Sequence, residues 1–133
     1  MNKKWLKVLA VTFSVLIILM NTGCQKSKYD ITGAWRVDFV LGTAGYFEVG
    51  FAGNSTTGSA IWNNQAAGEY DVADKDLEFY LRISFTSDGD TKMFIYHFIG
   101  AFESDSRMSG TVRAYDPEVQ GSEISGTWFA QRI

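Results

Sequence analysis

One cysteine, one histidine and two short groups of aspartates are the residues of this chain whose chemistry could go beyond packing. Cys24 is a lone thiol, so no disulfide can form within the chain and the fold must rest on its core. His97 sits between Tyr96 and Phe98. A Ser-His-Asp arrangement would need it together with a serine from another strand, and no nucleophile-elbow sequence singles out such a serine. A zinc site would need more good ligands than one histidine and one cysteine supply. His97 therefore reads as a packed strand residue. Asp71, Asp74 and Asp76, and likewise Asp88 and Asp90, could contact calcium, but their spacing is not that of an EF-hand loop. Both groups fall where turns are expected, a position Asp favours for its local hydrogen bonds. Spacing alone assigns no carboxylate pair for glycoside cleavage. With no catalytic set, no metal site and no cofactor signature, the expectation is that the chain is not an enzyme.

Cys24 has a telling context. Lys3, Lys4 and Lys7 precede an apolar run from Val8 to Met20, which closes on Asn21-Thr22-Gly23 directly before the cysteine. This is a charged region, an apolar stretch too short to span a bilayer comfortably, and small residues before a cut. The segment resembles a bacterial lipoprotein signal. That resemblance implies that the Cys24 thiol receives a diacylglyceryl group and that Cys24 becomes the mature N-terminus, anchored in the cell envelope. Gln25 stands where an Asp would suggest inner-membrane retention, so the outer membrane is favoured. Without the lipid, the segment reads as an ordinary secretory signal or an uncleaved anchor helix. An unmodified exposed thiol would be a reactive liability in an oxidising compartment, and lipidation removes it.

Residues 1–23 thus read as a signal helix, 24–30 as a short polar tether and 31–133 as one domain. Taking away residues 1–23 leaves 110, and the signal carries three of the 12 basic residues. The remainder has nine basic and 15 acidic side chains, a formal charge of −6. That balance argues against nucleic acid or anionic lipid as partner, since both need clustered Lys and Arg.

From Ile31 the hydrophobic period is two. Ile31 to Phe39 alternates as a first strand, and Gly42 to Gly45 reads as a turn. Phe47, Val49 and Phe51 mark a second strand, Gly53-Asn54-Ser55 a turn, and Gly58 to Asn63 a third strand. Asn64 to Gly68 reads as a break before a short fourth strand, Glu69 to Ala73. After Asp74-Lys75-Asp76, a fifth strand alternates from Leu77 to Phe85. Ser87-Asp88-Gly89-Asp90 is the strongest hairpin signal, because Asp-Gly accepts positive φ readily. Thr91 to Glu103, Met108 to Tyr115 and Ile124 to Arg132 complete eight strands. The expected fold is all-β, an antiparallel up-and-down barrel, since closure removes exposed edges.

Two Gly-x-Trp units bracket the domain: Gly33-Ala34-Trp35 in the first strand and Gly126-Thr127-Trp128 in the last. With "ITGAWRVDF" and "SGTWFAQRI" as its ends, the domain resembles the lipocalin and avidin group (the calycins). The resemblance implies a Trp that plugs the barrel from within and a last-strand Arg packed over it. Arg132 matches that position, with Arg113 as the alternative. Avidin-type biotin contacts have no convincing counterpart. Gly33, Trp35, Gly126, Trp128 and Arg132 are thus candidates for barrel closure. Trp62, beside Asn63, Asn64 and Gln65, could line a barrel mouth. With Phe47, Phe79 and Tyr96 it forms the candidate ligand contacts.

The sixth strand is apolar on both sides, with Met93, Ile95, His97, Ile99 and Ala101 on one face and Phe94, Tyr96, Phe98, Gly100 and Phe102 on the other. Its outer face is therefore expected to be covered by a second copy, a partner protein or the membrane surface. The resemblance implies a membrane-anchored binding protein for a small hydrophobic ligand. The alternative is a structural or protein-interaction module of the envelope, such as an inhibitor or assembly accessory, with a filled barrel.

Overall fold

The structure is a computed structural model that describes residues 29–133. The expected signal helix over 1–23, Cys24 and the tether up to residue 28 lie outside the described residues. Eight strands follow one another: β1 (Gly33–Leu41), β2 (Thr43–Gly53), β3 (Thr57–Trp62), β4 (Gln65–Ala73), β5 (Asp76–Ser87), β6 (Asp90–Ser104), β7 (Arg107–Tyr115) and β8 (Ile124–Arg132). Each pairs antiparallel with the next, and β8 pairs with β1, so the sheet is a closed up-and-down barrel. The described residues contain no helix.

Up-and-down order fixes which connections share an end. The turns after β1, β3, β5 and β7 lie at one end, the open end. Those after β2, β4 and β6 lie at the other, closed end, together with residues 29–32 and Ile133, whose N–H donates to the Ala34 carbonyl at 3.0 Å. The period-two pattern places one set of side chains inside every strand. In β5 that set is Leu77, Phe79, Leu81 and Ile83, all buried.

Aromatic rings fill most of the interior. Phe79 and Phe98 stack with centroids 4.5 Å apart, and the Trp128 indole stands edge-on to both at 5.5 and 5.6 Å. Offset and edge-to-face pairs of this kind add about 0.5–1.5 kcal/mol each beyond the area they bury. Trp128 fits because β6 and β7 meet at Gly100 and Gly110. A Cβ on Gly100 would lie 2.8 Å from the indole and 2.0 Å from the Ser109 carbonyl oxygen. The indole N–H donates to the Ile99 carbonyl at 3.1 Å, so its one polar atom is satisfied.

The closed end is sealed by Trp35 and Arg132. Trp35 is fully buried, and its N–H donates to the Ile31 carbonyl at 2.8 Å. Arg132, its ladder partner, lays its guanidinium 4.4 Å from the indole centroid. The guanidinium also donates to the main-chain carbonyls of Asp30 (2.6 Å), Thr32 (2.7 Å) and Asp105 (3.0 and 3.3 Å). Gly33, at φ 115°, passes beneath it. Trp128 pairs instead with Phe39, higher in the barrel, and Gly126 lies against the Val40 carbonyl towards the open end. The two Gly-x-Trp units are adjacent in strand but not in level.

Two connections differ from the sequence expectation. The turn expected over Gly42–Gly45 shrinks to Gly42 alone, at φ 81°, because Thr43, Ala44 and Gly45 already pair with β1. The break expected over Asn64–Gly68 is mostly strand. Asn63 and Asn64, at φ 56° and 62°, make a two-residue turn of the type favoured in hairpins. A bulge at Ala60/Ile61 then absorbs the extra residue in β4.

Removing the Arg132 fork should loosen the closed end. Arg132→Ala is expected to cost about 1–3 kcal/mol, and Arg132→Lys should recover less than half of that, since an ammonium cannot reproduce the planar fork. Thermal unfolding of the two variants beside the parent checks both statements.

Candidate functional site

The open end holds a cup of about 270 Å³. Strand lengths create it. Residues 83–87 of β5 and 90–94 of β6 pair only with each other, so this hairpin rises past the rim as a two-stranded ribbon. Its inner face carries Phe85 and Phe94, edge to face at 5.8 Å. Phe39 and Leu41 at the end of β1, Tyr96 of β6 and Ile124 at the start of β8 supply the rest of the apolar wall. Thr43 and Ser122 contribute hydroxyls. Ser122 is committed, accepting from the Asp116 N–H at 2.9 Å and donating to the Asp116 carbonyl at 3.1 Å. Burial pushes the Tyr96 phenol above its usual range, so it remains an O–H donor at neutral pH.

Of the four candidate ligand residues, Tyr96 lines the cup. Phe47 lies beneath it, 5.1 Å from the Tyr96 ring, and Trp62 stands edge-on to Phe47 at 5.7 Å. Phe79 is fully buried in the aromatic column and does not reach the cup. Phe39, Phe85, Phe94 and Ile124 were not among the candidates. The lengths of β5 and β6 were the available signal, because a hairpin longer than its neighbours must carry its inner residues past the rim.

The outer wall carries a second constellation, around His97. The Arg113 Nη2 lies 2.8 Å from His97 Nδ1, and Glu78 Oε2 lies 2.9 Å from Nε2. Arginine can only donate, so Nδ1 accepts and the ring proton sits on Nε2, donated to Glu78. The imidazole is neutral in this arrangement. Tyr80 stacks flat on it at 4.0 Å, and Arg113 continues to Glu123 Oε1 at 3.0 Å. The chain of contacts ties β5, β6 and β7 to the segment leading into β8. Both ring nitrogens are engaged, so neither is available to a serine.

His97 also interrupts the apolar outer face of β6. It is 5% exposed under Tyr80, while Met93 and Ile99 remain open at 39% and 44%. Asp74 and Asp88 sit in their turns at positive φ. Burial first, then Glu78 and Glu69, pushes the Asp71 carboxyl up. Among the described residues no three His, Cys, Asp or Glu side chains are grouped to hold a metal ion.

Burial, with Glu78 and Tyr115 adding to it, pushes the Tyr80 phenol up to about 12, from 10.0. The folded chain therefore resists its ionisation. Between pH 10 and 12 the unfolded chain loses that proton first, and stability should fall as pH rises. Tyr80→Phe is expected to flatten this alkaline loss and to remove the latest phase of the phenolate absorbance titration. An unchanged late phase would mean that another tyrosine titrates there.

The chain was compared with family models, with curated proteins and with solved structures, and none matched. Its architecture, a closed eight-stranded antiparallel barrel, is consistent with a calycin-like fold on its own geometry.

Proposed function

We propose that this chain is a lipid-anchored envelope protein, with the outer membrane favoured, whose barrel binds a small hydrophobic ligand without catalysing a reaction. The observation that carries the reading is the open-end cup, lined by four aromatic rings and about 270 Å³ in volume. That lies just under the roughly 300–1,000 Å³ of typical small-molecule sites, so the ligand is small. Below the cup, Phe79, Phe98 and Trp128 pack against one another and occupy the middle of the barrel. The lipid reading rests on the sequence before Cys24. Residues 29–32 enter at the closed end, so an anchor at Cys24 would turn the cup away from the membrane.

A second reading, a structural or protein-interaction module with a filled barrel, draws on the outer wall. Ile99, Val40 and Phe129 are exposed there on β6, β1 and β8, and could meet a partner protein or a second copy.

An uncharged fluorescent probe close to the cup in size, 1-naphthylamine, separates the two readings. Its emission should rise with the parent protein and stay flat with Ile124→Trp, which fills the cup from an exposed rim position. Circular dichroism should show both folded. No rise with the parent would favour the interaction module. For the anchor, Cys24→Ala should move the protein from the membrane fraction to the soluble fraction while leaving its melting curve in place. Retention in the membrane would overturn the lipid reading.

A further inference from the structure

The cup mouth is more specific than its apolar wall suggests, and the charge arrangement around it says which ligands it suits. Lys92 is the cross-strand partner of Phe85 and stands two residues from Phe94, so it shares the sheet face that lines the cup. Directly opposed residues hold their Cβ atoms about 5 Å apart. The methylene stem of Lys92 can therefore lie along Phe85 while the ammonium overhangs the mouth. The other basic side chains near this end are committed, Arg82 to Glu69 and Arg113 to Glu123 and His97. Lys92 has no ion-pair partner among the described residues.

Among the described residues no carboxylate lines the cup. Asp116, next to its wall, turns its carboxylate oxygen to the Glu118 N–H at 2.9 Å, and Glu123 faces Arg113. Asp88 and Asp90 stand at the ribbon tip, farther from the cup than Lys92. Inside, the Tyr96 and Thr43 hydroxyls make no hydrogen bond with the described residues, so donors are on offer and negative charge is not. At the roughly 30 Å³ that each water occupies in the liquid, the cup holds about nine non-hydrogen atoms.

Resting on the cup as a ligand site, we infer that it selects an anionic amphiphile: a short apolar chain or single ring bearing a carboxylate. The apolar part lies against Phe39, Phe94 and Ile124, and the carboxylate stays at the mouth with Lys92 as its counter-ion.

Octanoate and 1-octanol are the matched probes, equal in chain length and different in charge. Titrated into the protein at neutral pH and low salt, with the methyl resonances of Leu41 and Ile124 as readout, octanoate should bind about fivefold more tightly than octanol, the scale of one exposed ion pair. Lys92→Gln should bring the two affinities together, Lys92→Arg should keep them apart, and added salt should erode the preference in the parent. Equal binding of the two probes, or a preference that survives Lys92→Gln, overturns the carboxylate inference and leaves the apolar cup standing. If neither probe shifts the cup methyls, the ligand reading falls with it.

Discussion

The contact on which this barrel depends is the Arg132 guanidinium lying over Trp35. It is a single group that touches four parts of the chain: the residues before β1, through the Asp30 and Thr32 carbonyls, the β1 indole, the β6–β7 turn, through Asp105, and β8, to which it belongs. A barrel of this size needs a lid at one end, or water enters the core. Here the lid is made of hydrogen bonds from one guanidinium to three main-chain carbonyls. Once that end is shut, the strands above it are held at one diameter, and the aromatic column has a floor to pack on.

The column then decides where anything can bind. Tyr29, Trp35 and Phe102 meet at the bottom, Phe79, Phe98 and Trp128 in the middle, and Phe39, Phe47 and Tyr96 above. Rings of this size can fill the interior of a narrow eight-stranded barrel. The cup lies where the walls are unequal in height. The β5–β6 ribbon rises and β3 stops early, so the cup lies at the top of the ring column, with Phe39 and Tyr96 in its wall.

Much of this was legible from alternation and turn chemistry. The eight strands, the Asp88-Gly89 turn and the Gly33-Ala34-Trp35 unit at the start of β1 announce themselves in the sequence. Asn64 to Gly68 misled because Asn64 and Gly68, at its two ends, are turn-favouring types and the residues between them lack apolar alternation. The bulge that turns Gln65 to Gly68 into strand is a property of the pairing with β3, not of those residues. The cup and the His97 cluster were less visible for one shared reason, which is register. Arg113 faces His97 directly across the β6–β7 ladder, whereas Glu78 reaches it from two residues nearer the closed end of β5, opposite Ile99. Phe39 and Ile124 approach the cup through the β1–β8 ladder and the start of β8. Alternation tells which way a side chain points but not which residue of the next strand it meets. Tyr96 could be picked because it points inward, but its level in the barrel could not be known.

The closure at Arg132 has a consequence for how the chain reaches its folded state. Arg132 and its acceptor Thr32 are 100 positions apart, so no local hairpin can form this contact. Bringing such distant residues together costs about 4 kcal/mol in loop entropy before any bond repays it. On a ribosome or a translocation channel, β1 to β7 can zip up in order as they emerge. One edge of β1 nevertheless keeps its amides and carbonyls unpaired until β8 arrives. An open sheet with a bare edge and a half-covered aromatic column invites pairing with other chains. The protein is therefore most prone to aggregate in the interval just before its eighth strand docks.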